Sequence, residues 1–116
     1  MSTDNNQKKI ASVSNILRNI PKNISNEIFE NIVKTNQFRI ERIISSGQKS
    51  PSDFWYDQDW NEWVLMIQGR AVLEFDDKEK NIELNQNDYI LIPAHKKHRV
   101  KWTDPTQETI WLAIHF

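Results

Sequence analysis

The chain has 116 residues, a net charge of −1 and no cysteine, and these facts exclude several classes of protein. One domain of this length buries about two-thirds of its unfolded surface. The near-neutral charge argues against nucleic acid or an anionic membrane surface as a partner, and no run approaches the roughly 18 apolar residues that span a bilayer. The N-terminus lacks the basic and then apolar segments of a secretory signal, so we expect a cytoplasmic protein.

Residues 1–23 are expected to form an N-terminal arm, and residues 24–116 the main domain. The arm is polar and rich in asparagine, and Pro21 would end any regular element in it. Its apolar residues have the spacing of one short amphipathic helix or turn: Ile10, Val13, Ile16, Leu17 and Ile20. Two interpretations stay open, a frayed arm and a segment that docks on a partner subunit.

From residue 24 the pattern changes to short strands. Residues 27–34 are a first candidate, and residues 38–44 alternate clearly. On one face of this second strand lie Phe38, Ile40, Arg42 and Ile44, and on the other lie Arg39, Glu41 and Ile43. A buried guanidinium needs a partner, so Arg42 is a candidate ligand-binding residue.

Further strands are predicted over residues 62–68, 70–75, 82–84, 89–92, 98–102 and 109–116. Gly69, an acidic and basic tip at 76–80, and Pro93 separate them. His98, Val100 and Trp102 alternate with charged residues, which predicts that all three face the interior. His115 shares a face with Trp111 and is expected to be a hydrogen-bonded structural histidine. Seven or eight short strands at this spacing predict an all-β sandwich or small barrel.

An aromatic and acidic segment leads into the strand that begins at Glu62. Trp63 lies on the strand face opposite Glu62, which predicts packing in the core or in a dimer interface. Trp55, Tyr56 and Trp60 precede the strand, where aromatic side chains can line a pocket for a planar or apolar ligand. Packing in the core or at its rim is the alternative role for each of these three residues.

Two motifs in this order resemble those of the cupins. The first runs from Glu62 to Gly69, and the second from Asp88 through Pro93 to His98. The resemblance covers about residues 38–116, and the end of the chain resembles small single-domain cupins of unassigned function. It implies an all-β, cupin-like jelly-roll barrel, commonly a homodimer, with a metal or a small molecule inside.

Four positions differ from the family motifs. Where cupins have a His-x-His pair, this chain has Tyr56 and Gln58, and two family glycines are replaced by Asn87 and His95. Asparagine also adopts left-handed turns. His95 would add an imidazole at the rim of the pocket.

The resemblance implies a divalent transition metal (Zn, Ni, Fe or Mn) as the cofactor, with Glu62 and His98 as retained ligands and Gln58 as a third. An amide oxygen is a poor replacement for an imidazole toward such metals. The alternative is a metal-free buried pair, in which Glu62 bonds to His98 or Arg42. The candidate ligand-binding residues are Tyr56, Trp60, His95 and Arg42.

Two functions are left open by the sequence. One is a metal-dependent enzyme acting on a small metabolite, of the dioxygenase or isomerase type, with Tyr56 or His95 as acid or base. The other is a non-catalytic module that binds a small molecule in a metal-free pocket. The loss of both histidines of the first motif favours the binding module.

His98 should point into the barrel, within reach of Glu62. The strand over 62–68 is apolar on both faces, with Val64 and Met66 on one and Trp63, Leu65 and Ile67 on the other. A monomeric barrel would have a polar outer face, so we expect a homodimer that packs sheet on sheet, with the N-terminal arm as the alternative cover.

Overall fold

The computed structural model describes residues 11–77 and 80–116. Ile10 of the predicted amphipathic pattern, and two residues of the predicted tip at 76–80, lie outside the described residues. The strands are β1 (Ile28–Lys34), β2 (Arg39–Ser45), β3 (Glu62–Gln68), β4 (Ala71–Phe75), β5 (Ile82–Leu84), β6 (Tyr89–Ile92), β7 (His98–Thr103) and β8 (Thr109–His115). Within those two ranges no helix is long and apolar enough to cross a membrane.

The strands form two antiparallel sheets. The larger has the order β1-β2-β8-β3-β6 and the smaller the order β5-β4-β7. Apolar residues from both sheets form a single core: Ile43, Val64, Met66, Ala71, Leu73, Phe75, Leu84, Ile92, Trp111 and Ala113. The predicted all-β, two-sheet architecture is therefore confirmed for the described residues.

The inner face of the larger sheet changes from polar to apolar along the strands. Because β8 pairs with both β2 and β3, facing residues of the three strands form rows across the sheet. The first row is polar, the second is mixed, and the third is apolar: Arg39, His115 and Glu62; Glu41, Ala113 and Val64; Ile43, Trp111 and Met66. The space between the sheets thus has a polar end and an apolar end.

Arg42 lies on the outer face of β2, opposite this space, and this corrects its expected place in a ligand site. Its Nη2 lies 2.6 Å from Oε1 of Glu30 on the neighbouring strand. Its Nη1 donates hydrogen bonds to the carbonyl oxygens of Ile16 and Arg18 in the arm, at 2.9 and 2.7 Å. The buried guanidinium has the partners it requires, and they fasten the arm to the sheet.

The arm contains a turn and bends at residues 16–19 and 22–23. Asn19 and Asn23 both have positive φ angles, 57° and 53°, and asparagine tolerates this conformation better than most residues. Of the two forms allowed by the apolar spacing, the turn is therefore the one observed in this part of the arm.

Strand β7 corrects one predicted orientation. Lys101 is an extra residue in the ladder between β7 and β4, and after it Trp102 pairs with Val72. Paired residues of antiparallel strands share a face of the sheet, and Val72 faces away from the core. The predicted inward orientation holds for His98 and Val100, and it is wrong for Trp102 because a β-bulge reverses the alternation.

Candidate functional site

A cavity of about 360 Å³ lies between the two sheets, within the range of about 300–1,000 Å³ that is typical of small-molecule sites. Val64, Leu73 and Trp111 belong to its apolar wall. The charged and titratable side chains that line it are Glu27, Arg39, Glu41, Tyr56, Glu62, His98 and His115. The cavity thus joins an apolar wall to an ionisable one.

Glu62 and His98 meet across this cavity from opposite sheets. Glu62 begins β3 and His98 begins β7, and both are buried, with 8% and 5% of their surface exposed. His98 Nε2 lies 3.5 Å from Oε1 of Glu62. The prediction that His98 points inward, within reach of Glu62, is confirmed.

The proton positions of this pair are constrained by a backbone contact. His98 Nδ1 lies 2.9 Å from the carbonyl oxygen of Lys96, and a carbonyl only accepts, so Nδ1 donates. A neutral imidazole then has its lone pair at Nε2, which faces the carboxylate. Oε1 of Glu62 is buried and has no hydrogen-bond partner. The pair therefore needs a further proton, or a donor placed between the two acceptors.

Glu41 and His115 form a second carboxylate–imidazole pair on the same cavity. His115 Nε2 and Glu41 Oε1 are 2.9 Å apart and buried, and Arg39 Nε lies 3.8 Å from Oε2 of Glu41. The hydrogen-bonded His115 expected from the sequence is thus observed, but in the wall of the cavity. Sequence reasoning missed Glu41 as a cavity residue, although its shared face with Arg39 and Ile43 was the available signal.

The loop before β3 brings Tyr56 and Gln58 to the cavity. Tyr56 exchanges two backbone hydrogen bonds with His98, at 2.7 and 3.1 Å, and the two rings stack with centroids 5.4 Å apart. Burial raises the pKa of Tyr56, and the carboxylates of Glu27 and Glu62, together with Glu41, raise it further. The phenol therefore keeps its proton at neutral pH and can donate a hydrogen bond.

His95 and Trp60 are not among the described residues that line the cavity. The imidazole of His95 is 64% exposed, and its Nδ1 lies 2.9 Å from Oδ1 of Asp57. His95 and Asn87 have φ angles of 64° and 73°, at positions where the cupin motif has glycine. Both residues therefore occupy left-handed turns, and Tyr56 is the one of the four candidate ligand-binding residues that reaches the cavity.

The comparison with protein families agrees with this geometry. A family model described as a cupin domain matches residues 42–115. The chain belongs to the cupin family. No curated protein sequence matches it significantly.

Solved structures support the same assignment. A candidate mannose-6-phosphate isomerase from Ralstonia eutropha is 38% identical, covers 90% of this cupin and 97% of its own chain, and has a TM-score of 0.87. A cupin superfamily protein from Desulfitobacterium hafniense is 20% identical over 84% of this chain and 83% of its own, with a TM-score of 0.69. A conserved protein of unknown function from Streptococcus pyogenes is 14% identical over 92% and 88%, with a TM-score of 0.71. The predicted jelly-roll cupin fold is therefore confirmed.

The ionisable residues of this cupin do not fit a transition-metal site. Such a site needs three or four convergent deprotonated N, O or S donors. Among the described residues, no group of three histidine, aspartate or glutamate side chains is placed to hold one ion. Glu62 and His98 supply two donors, Gln58 adds only an amide, and the raised pKa of Tyr56 opposes a phenolate ligand.

Proposed function

We propose that this cupin binds a small organic molecule in the cavity, with Glu62 and His98 as the polar anchor. One observation carries the proposal, the buried Oε1 of Glu62 without a hydrogen-bond partner. An unsatisfied buried acceptor costs about 1–3 kcal/mol, and a donor from a ligand would remove that cost. The apolar wall formed by Val64, Leu73 and Trp111 would bury the rest of the molecule.

A fragment screen by ligand-observed NMR tests this proposal. Val100 lines the cavity, whereas Val72 faces away from the core on the neighbouring strand. Fragments that bind the parent protein should be lost in Val100→Trp, which fills the cavity, and kept in the matched control Val72→Trp. Fragments that bind both variants equally, or the absence of any binding fragment, would contradict the proposal.

An isomerase is the second candidate function. The observation that favours it is the presence of two carboxylate–imidazole pairs, Glu62 with His98 and Glu41 with His115, on one cavity. Interconversion of an aldose and a ketose moves a proton between adjacent carbons, which requires a base and an acid on the same substrate. The structure of the candidate mannose-6-phosphate isomerase, at 38% identity, supports this reaction type.

The charges of the cavity wall favour an unphosphorylated sugar as the substrate of such an isomerase. Glu27, Glu41 and Glu62 face one permanent cation, Arg39, in the described lining. A phosphate monoester carries close to two negative charges at neutral pH, which this lining would repel. Mannose should therefore exchange a carbon-bound proton in deuterium oxide faster than its phosphate ester. Loss of exchange in Glu41→Gln would support this function, and no exchange in the parent protein would reject it.

A further inference from the structure

We infer that the ligand of this cavity is a small organic amine, with its ammonium group at Glu62 and His98 and an apolar body against the opposite wall. This inference rests on the proposed binding function and names the chemical class of the ligand.

The described wall of the cavity is negatively charged. The described lining contains three carboxylates and one guanidinium, which leaves a net charge of −2. Protonation of His98 and His115 would only bring this charge to zero. An anionic ligand would therefore find no excess of positive charge, whereas a cationic one compensates buried carboxylates.

Of the three carboxylates in the described lining, Glu62 has a buried oxygen that lacks a donor. Glu27 accepts a hydrogen bond from Oγ of Ser45 at 2.6 Å, and Glu41 is paired with His115 at 2.9 Å. Glu62 is 92% buried, since 8% of its surface is exposed, and its Oε1 is left without a hydrogen bond. The ammonium group of the ligand is therefore placed at Glu62 and not at the other two carboxylates.

The polar head of the ligand must supply donors to two acceptors. With His98 neutral, Nδ1 donates to the Lys96 carbonyl, so Glu62 Oε1 and His98 Nε2 are two acceptors 3.5 Å apart. A hydroxyl group has one proton to donate, and a carboxylate has none. A primary ammonium has three donors and no acceptor, so it alone among these heads satisfies both atoms at once.

Two further observations agree with a cationic head and an apolar body. Burial raises the pKa of Tyr56, and the charges of Glu27, Glu62 and Glu41 raise it further, so the phenol stays neutral and adds no charge to the cavity. Beyond the polar end, the cavity continues along Val64 and Trp111. These side chains can bury a ring or a short hydrocarbon chain.

Three probes of matched shape test the inference on the unmodified protein. Phenethylamine, phenethyl alcohol and phenylacetate are titrated by calorimetry at about pH 7.5, where the amine is protonated and the acid is ionised. The amine should bind at least about tenfold more tightly than the alcohol, and phenylacetate most weakly. Equal binding of amine and alcohol, or tightest binding of phenylacetate, would overturn the inference. Failure of all three to bind would count against the binding function itself.

A variant tests whether Glu62 causes the preference for the amine. Glu62→Gln keeps the shape of the side chain and removes its charge. The tenfold preference for the amine should therefore fall to about twofold or less. The affinity for the alcohol should stay within about threefold of that of the parent protein. Glu83→Gln, an exposed position on β5, is the control and should leave all three affinities unchanged. An unaltered amine preference in a Glu62→Gln protein with the parent's circular dichroism spectrum would overturn the assignment to Glu62. The comparison of probes on the unmodified protein decides the inference even where this variant does not fold.

Discussion

At the scale of single residues, the cavity contains one buried carboxylate that is hydrogen-bonded to an imidazole and one that is not. Two carboxylate–imidazole pairs have similar chemistry, yet the Glu41–His115 pair is closed by a hydrogen bond of 2.9 Å. The Glu62–His98 pair is separated by 3.5 Å and leaves an acceptor open. The closed pair satisfies its own acceptor, and the open pair leaves an acceptor for a ligand.

The altered first motif leads to a prediction about metal affinity. Tyr56 and Gln58 both line the cavity beside the Glu62–His98 pair, so Tyr56→His with Gln58→His would add two imidazole donors there. We expect affinity for zinc and nickel to rise at least about tenfold, or 1.4 kcal/mol, in calorimetric titrations at about pH 7.5. The matched control is Tyr89→His on β6 with Gln37→His between β1 and β2, two positions outside the cavity lining. Equal affinities in parent and variant would show that the two imidazoles do not converge with Glu62 and His98.

Asp104 predicts how stability depends on acid. Its carboxylate accepts hydrogen bonds from Oγ1 and the backbone N–H of Thr106, and from the amide of Gln107. These bonds lower the pKa of Asp104 from 3.8 to about 2, and the bond from the Thr106 hydroxyl has the largest effect. The charge of Arg70 lowers the pKa slightly further. Because the pKa is lower in the folded state, the stabilisation is present above the unfolded value and is lost as the pH falls from 3.8 towards 2.

The corresponding variant is Asp104→Asn, which should flatten the acid side of the stability profile over that interval. Urea unfolding midpoints measured across the acid range would show it. Asp53→Asn, at an exposed position, should keep the slope of the parent protein. Parallel profiles for the parent and Asp104→Asn would contradict the prediction.

At the scale of elements, β-bulges in β7 and β3 decide which side chains of these two strands face inward. Lys101 interrupts the pairing of β7 with β4, and the register of β3 against β8 shifts between Met66 and Gln68. Each extra residue reverses the alternation beyond it. Trp102 leaves the core for this reason, and Ile67 sits in the bulge of β3 and not in the regular outer row expected from the sequence.

The turn after β3 gives a prediction about packing. Gly69 has a φ of +91°, and an added Cβ would meet Thr109 Oγ1 at 2.5 Å and Thr109 Cα at 2.9 Å. Gly69→Ala should therefore cost about 2–5 kcal/mol of unfolding free energy, from left-handed strain and overpacking together. Gly47 has a φ of +87°, but its closest neighbour would be Pro105 Cα at 3.2 Å. Gly47→Ala should cost only about 1–2 kcal/mol, and equal losses in urea unfolding would refute the steric argument.

At the scale of the whole molecule, the outer face of the larger sheet carries an apolar surface centred on β3. The pairing of β3 with β6 and β8 joins six side chains on it: Trp63, Leu65, Tyr89, Leu91, Leu112 and Ile114. Tyr89 and Leu91 remain 67% and 54% exposed with residues 11–23 of the arm in place. Soluble monomers rarely expose a contiguous apolar patch of this kind.

We therefore expect a homodimer in which this outer face packs against its copy. Light scattering at micromolar concentration should give twice the protomer mass for the parent protein. Leu91→Lys places a charge in the patch and should give the protomer mass, because an unpaired buried charge opposes association. Asn81→Lys, exposed on the approach to β5, adds the same charge elsewhere and should remain a dimer. A monomeric parent protein would reject the dimer and leave the N-terminal arm as the cover.

The sequence by itself determined the strands and the two motifs. Side chains alternate with a period of two along an extended chain, so residues 62–68 and 89–92 were predicted with the observed bounds. The same alternation placed Glu62 and Trp63 on opposite faces of β3, and it oriented His98 correctly because no bulge precedes it in β7. These features depend only on local spacing, which is why they could be read from one chain.

The tertiary structure alone decided which face of β2 lines the cavity. Alternation separates Arg42 from Glu41 but does not say which face is inside, since both faces mix charged and apolar residues. Pairing with β8 brings Glu41 to His115, a residue 74 positions later. On the other face, Arg42 donates hydrogen bonds to carbonyl oxygens of the arm. Contacts between residues so distant along the chain have no local signature, and the polar half of the cavity is built from them.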